Sequence, residues 1–502
     1  IELNLITMYY TIYLYLFFSF LFSSNLYFEA DPFYLFYHES EQFDTNEYDV
    51  NLNIRPAFKN EYNDQMSLSY NAWYYYNDNA PNLENTSNRW VARGSNLYNS
   101  IHFDYFNKYL YFSIEPYFFT SENLNFTPQH TDPLFQALND GMAHTDKPYF
   151  SSGLRETQLV LHQKGFGVGL SNTNMWWGPG IHNSLHMSNN TSGFDYFFLG
   201  TTSEKKIKSF GYNFKYIFSK LDKNEAQPYY TGLAADITYY SDPIITLGFF
   251  RSFLSGGILE SPWPDTDDIS ILDAMLIPFQ KIFKSGLIQD QADQTLSVFT
   301  SILFPQSDLK LYFELGMNDH RWDIYDFLQH PDHTAATIFG FRKYGLFNKK
   351  ELIMGFEYTN LRKTRFDNRP TPNWYDRSWF DYNLYDGRRF TAHSGADSDD
   401  ALIYLGYLSD ENDLIISFNY ERHGITESVE ISDQEGLFHV PEFKLEFKVD
   451  ARKRIKSYEL YFLYEFEYLD NMGMPHQGID QRFARPDRKS NVFGIGLSKT
   501  IK

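Results

Sequence analysis

Apolar and aromatic side chains recur at every second position, in runs of about ten residues, along most of this chain. A period of two belongs to the β-strand, whose successive side chains point to opposite faces. Met66, Leu68, Tyr70, Ala72, Tyr74 and Tyr76 form one series, and Phe210, Tyr212, Phe214, Tyr216 and Phe218 another. The same rule runs through Leu110–Phe118, Leu309–Leu315, Leu352–Tyr358 and Leu414–Tyr420. In the clearest run, Tyr458, Leu460, Phe462, Tyr464, Phe466 and Tyr468 share one face while Glu459, Glu465 and Glu467 take the other. Roughly eighteen such segments occur, each near the ~10 residues that a tilted membrane strand needs. Polar clusters such as Asn77-Asp78-Asn79, Asn348-Lys349-Lys350 and Ser409–Asn412 separate them as turns. After the first thirty or so residues there is no apolar run of the ~18 residues expected of a spanning helix, so any crossing is made by strands. Strand edges cannot be left open in hydrocarbon, so these strands should close on themselves. The expected fold is all-β: a transmembrane antiparallel β-barrel of about eighteen strands.

Composition agrees. Of 502 residues, 40 are Tyr and 48 are Phe, yet the chain is net hydrophilic with a formal charge of −21. Aromatic girdles facing lipid, with a polar lumen and polar loops, reconcile the two. The acidic balance and the lack of any Lys/Arg stripe exclude nucleic acid as a partner. The absence of Cys removes disulfides and thiolate metal sites.

The uncharged stretch from Leu3 to Phe28, with its apolar centre through Phe22, reads as a signal peptide over residues 1–28. A single spanning helix is the alternative reading. Residues 29–502 then form one barrel domain. Three insertions interrupt the strand rhythm. Thr120–Ser152 carries few strand signals, and Thr364–Ser398, rich in aromatics and Arg, reads as a surface loop. In Ser261–Gln294, Ile269, Leu272, Met275, Leu276, Phe279, Ile282 and Phe283 recur at three- to four-residue spacing. That pattern predicts a small helical insertion, about 262–292, packed near one end of the barrel.

The most distinctive stretch contains Trp176, Trp177, Gly178, Pro179, Gly180, Ser184, Leu185, Ser188, Asn189 and Asn190. A second block has Glu314, Gly316, Asn318, Asp319, His320, Trp322, Asp323, Asp326, Phe327 and Leu328, then Pro331, Asp332, His333 and Ala335. Gln294, Leu296, Phe299 and Phe304-Pro305 precede it. In this order the blocks resemble the capsule assembly Wzi family. The resemblance implies an outer-membrane barrel of about eighteen strands with helices near its periplasmic end. It also implies a non-enzymatic, lectin-like attachment of capsular polysaccharide or exopolysaccharide to the cell surface. Outer-membrane lipid and the barrel assembly machinery would be further partners.

Candidate sugar contacts are Trp176 and Trp177, whose faces suit pyranose C–H groups beside glycines that admit a ligand. A Trp pair on a Gly-Pro turn more often fixes a loop against the barrel wall. Trp374 and Trp379 are a second candidate platform, with Arg377, Arg388 and Arg389 able to contact acidic sugars. The remaining motif residues are expected to be structural. Asn318-Asp319-His320 and His330–His333 hold metal-ligand residue types, but their spacing specifies no site, and no metal or cofactor is expected. No Gly-x-Ser-x-Gly, His-Glu-x-x-His or phosphate loop points to catalysis. A porin-like channel for small solutes is the competing function, opposed by an insertion able to occlude the pore.

Overall fold

The computed structural model describes residues 27–28, 32–45, 52–58, 65–126, 147–223, 227–257, 269–279, 292–318, 328, 333–364, 374–375, 383–426, 441–473 and 487–501. Of the expected signal segment, all but Tyr27 and Phe28 lies outside them.

Eighteen antiparallel strands close into one barrel. In chain order they are β1 Gln65–Asn77, β2 Gly94–Phe106, β3 Leu110–Ser121, β4 Tyr149–Gln163, β5 Phe166–Ser171 and β6 Tyr196–Thr201, which resumes at Lys205–Ile207. Next come β7 Phe210–Lys220, β8 Tyr229–Tyr239, β9 Ile244–Ser255, β10 Ala292–Phe304, β11 Leu309–Asn318 and β12 Ala335–Tyr344. The last six are β13 Leu352–Asn360, β14 Ser398–Leu408, β15 Asn412–His423, β16 Glu442–Ile455, β17 Tyr458–Asp470 and β18 Asp487–Thr500. Closure pairs β18 with β1, from Val492 opposite Asn77 to Thr500 opposite Ser69. The expected alternation is realised as two solvents. On β17, Tyr458, Leu460 and Phe462 point outward while Glu465 and Glu467 are buried. Outward apolar side chains such as Leu170, Phe249, Phe313, Leu405 and Ile495 continue this belt around the wall. It is the surface that faces hydrocarbon in an outer-membrane barrel.

The connections are asymmetric. At one end they are tight, as at 164–165, 409–411 and 456–457; at the other they are long, as at 78–93, 172–195 and 361–397. Short turns mark the periplasmic end of such barrels. The long connections 78–93, 172–195 and 383–397 do not project outward. Their described residues are largely buried, which places them inside the lumen as a plug. Thr364–Ser398, expected as a surface loop, is thus largely interior where it is described, with Asp386 near the rim, because its polar groups find partners there.

Among the described residues, two α-helices accompany the barrel. Helix α1, Pro32–Thr45, occupies the lumen near the tight-turn end, where Phe36 packs on Tyr404 and Phe43 on Tyr344. Helix α2, Ile271–Leu276, lies within the expected helical insertion, is capped by Ser270 and continues as a turn of 3-10 helix to Phe279. Ile54–Arg55 is not a barrel strand. It pairs inside the lumen with Trp176–Trp177, consistent with the strand-breaking influence of Pro56.

Candidate functional site

The Trp-Gly-Pro-Gly segment sits at the centre of the plug. Gly178 has a φ of +135°, and a Cβ there would come within 2.9 Å of a Glu314 carboxylate oxygen, so the turn needs glycine. The chain past Pro179 presents consecutive amides to one wall side chain. Ile181, His182 and Asn183 donate backbone N–H bonds to the buried Glu357 carboxylate at 2.7, 3.1 and 2.8 Å, and the Tyr312 hydroxyl donates a fourth at 2.8 Å. Arg342 donates to the Pro179 carbonyl at 3.0 Å. Ser188 donates to the Thr391 carbonyl at 2.6 Å and Asn190 to that of Arg389 at 3.2 Å, which ties this segment to the second plug segment. His186 lies between Ser252 and Ser297, 3.0 Å from each hydroxyl, and burial without a charged partner pushes its pKa down to about 3.

The motif residues on this segment are therefore buried and tied to the wall and to the second plug segment. Trp176 and Trp177 are 0% exposed. The Arg55 guanidinium lies 5.2 Å over Trp176, and Trp177 stacks on Phe250 at 5.9 Å. Gly232 on β8 leaves room for Trp177, since a Cβ there would fall 2.7 Å from the indole. Trp374 is 1% exposed and donates its indole N–H to the Thr334 carbonyl at 3.1 Å. Arg388 and Arg389 are also buried, the former donating to the Ser87 carbonyl and the latter lying over Tyr375 at 5.6 Å. None of these five side chains presents an open face to a polymer, because plug and wall neighbours occupy the contacts. Asn318 and His333 are buried at the two ends of one connection. Asp319, His320, Asp323, Asp326, Pro331, Asp332, Arg377 and Trp379 lie outside the described residues.

Helix α1 is anchored at the tight-turn end through Glu39. Arg342 grips this carboxylate with two N–H groups at 2.7 and 2.9 Å, Lys310 donates at 2.6 Å and the Tyr344 hydroxyl at 2.9 Å. Burial alone would raise the Glu39 pKa, but the charges of Arg342 and Lys310 outweigh it and hold the group at about 2.

Between plug and wall remains a cavity of about 590 Å³, a volume typical of small-molecule sites. It runs from α1 and Thr500 at the tight-turn end up to Glu84, His182 and Asn189 in the plug. Its lining includes a ladder of rings: Trp73 lies parallel to Tyr75 at 5.4 Å and tilted against Tyr461 at 4.9 Å. Arginines cap the ladder, Arg89 lying 5.2 Å over Trp73 and Arg452 4.9 Å over Tyr461. Aromatic surface next to guanidinium, amide and carboxylate groups is the chemistry that sugar rings and their hydroxyls require. The alternation offered a cue to these residues. With Tyr74 and Tyr76 facing outward, Trp73 and Tyr75 must face the lumen.

The cavity adjoins a cluster that sequence reasoning missed. Glu84, His182, His393 and Glu421 each bring one potential ligand atom to within 4.8 Å of all the others. They come from four distant segments, so no local spacing announces them.

The profile of the family described as capsule assembly protein Wzi matches residues 50–472. Comparison with curated protein sequences returned no match. Among solved structures, the chain is similar to Wzi of Escherichia coli, described as an outer membrane protein involved in group 1 capsule assembly and a carbohydrate-binding β-barrel. The TM-score is 0.58 at 10% identity, covering 91% of this chain and 96% of that one. Pseudomonas aeruginosa OccK5 also aligns, with a TM-score of 0.42 at 9% identity over 88% of this chain and 99% of that one.

Proposed function

The chain belongs to the capsule assembly protein Wzi family, and from this premise we propose that it is a non-enzymatic, lectin-like barrel that attaches capsular polysaccharide or exopolysaccharide to the cell surface. The observation that carries this reading is the state of the lumen. Among the described residues, buried, multiply hydrogen-bonded segments occupy the lumen, and beside them lies a cavity lined by stacked rings and arginines. A solute channel would need continuous water instead. The E. coli protein of the same fold is described as carbohydrate-binding, and the reading extends that property to this chain. Lipid would cover the apolar belt, and insertion would draw on the barrel assembly machinery.

The net charge constrains the mode of attachment. A protein of charge −21 repels an acidic polymer unless arginines or divalent cations stand between them. Retention of an acidic capsule should therefore weaken with salt or chelation.

The test is the partition of surface polysaccharide between cells and medium after deletion of the gene. Undiminished synthesis with polymer shed into the medium is the expected result. Unchanged retention would overturn the attachment role, and large steady currents through the purified barrel in planar bilayers would favour a solute channel in its place.

A further inference from the structure

We propose that Glu84, His182, His393 and Glu421 form a binding site for a divalent cation of the zinc class, which clasps the plug to the barrel wall. The four donors come from the connection 78–93, the plug segment 172–195, the connection 361–397 and wall strand β15. One donor atom of each lies within 4.8 Å of the other three. Ligands around a tetrahedral zinc at ~2.0–2.1 Å stand roughly 3.3 Å apart, so small rotations of the side-chain ends complete the set. Two imidazoles with two carboxylates suit a borderline cation; calcium and magnesium prefer oxygen alone.

His393 supplies the second observation. Its side chain is 1% exposed, and among the described residues neither ring nitrogen makes a well-directed hydrogen bond. Both nitrogens are instead surrounded by carboxylates: Nδ1 lies 3.0 Å from Glu84 and 3.9 Å from Glu421, and Nε2 lies 3.7 Å from Asp400. The His182 ring meets that of His393 edge-on at 4.3 Å. The supporting groups that hold metal ligands in place are also present. Asp400 lies 3.2 Å from His182, and Lys444 contacts Glu84 and donates to Glu421 at 2.9 Å. Glu84 and His182 also border the lumenal cavity, which gives the ion a path of entry.

The proposal does not depend on what the barrel holds, and it is tested on the full chain purified in detergent. Protein stripped with a chelator is titrated with Zn²⁺, reading bound metal per barrel and thermal midpoint together. One equivalent of Zn²⁺ and a raised midpoint are expected. E84Q and H393N should each weaken binding by more than about tenfold, and H162Q, a buried histidine on β4, should not. A stripped wild-type barrel that binds no Zn²⁺ would show that the cluster is only a protonated salt-bridge network. Equal binding by wild type, E84Q and H393N would place the ion elsewhere. Either result overturns the site.

Discussion

Glu357 illustrates how much a single lumenal carboxylate can organise. It gathers three consecutive plug amides and one tyrosine hydroxyl, and a buried donor left without an acceptor costs about 1–3 kcal/mol. E357A should therefore lower the thermal midpoint in detergent and expose the 172–195 segment to protease, with the barrel strands still protected. His186 makes a pH-dependent contribution. Its folded pKa of about 3 lies below the ordinary value of 6.5, so the neutral ring stabilises the fold fully above pH 6.5. That stability drains as pH falls from 6.5 through about 3, by up to ~1.4 kcal/mol per pH unit. Melting curves over that range should show the acid loss, and H186Q should flatten it. Trp73 carries the sugar reading at this scale. W73A removes the centre of the ring ladder, and titration with oligosaccharides of the cell's own polymer should show reduced affinity. Unaltered affinity would move the binding surface away from the cavity.

Among elements, helix α1 is held both by its apolar face, through Leu35, Phe36 and Phe43, and by one ion cluster. Breaking a buried pair by removing one partner costs roughly 3–5 kcal/mol, because the remaining charges stay desolvated. E39A strands Arg342 and Lys310 in this way, so amide exchange across 32–45 should rise sharply. The acid side has its own sign. With Glu39 held at about 2, below its ordinary 4.5, its share of stability is full above pH 4.5 and lost as pH falls toward 2. This window opens below that of His186, so acid should loosen the plug around His186 before it releases the helix. The wall strands answer to a different constraint. Their outward faces are apolar and their inward faces polar, as at Leu445 between Lys444 and Glu446.

The whole molecule is a closed barrel filled from both ends, by α1 beside the tight turns and by three long connections from the opposite end. Such filling predicts a low conductance in planar bilayers that rises when the fasteners are removed together, as in an E39A/E357A double variant. A wild-type barrel with wide, steady pores would contradict this packing. The plug also explains why the most distinctive motif is not an exposed binding face. Trp176 and Trp177 have their contacts taken by Arg55 and Phe250, inside the lumen.

The sequence alone determined the wall. Period-two alternation is local, each strand repeats it, and hydrocarbon leaves closure as the only solution, so an eighteen-stranded barrel was legible without coordinates. The motif blocks likewise carried the family. The lumen was not legible. Helix α1 escaped notice because the partners of its polar fastener, Glu39, and the rings it packs on lie some 270 to 370 residues away. Thr364–Ser398 read as a surface loop because polar, aromatic-rich segments look the same whether water or a plugged lumen surrounds them. The cluster of Glu84, His182, His393 and Glu421 exists only because closure brings four segments to one place. Tertiary structure decided everything inside the barrel, since long-range pairing of buried polar groups leaves no periodic trace along the chain.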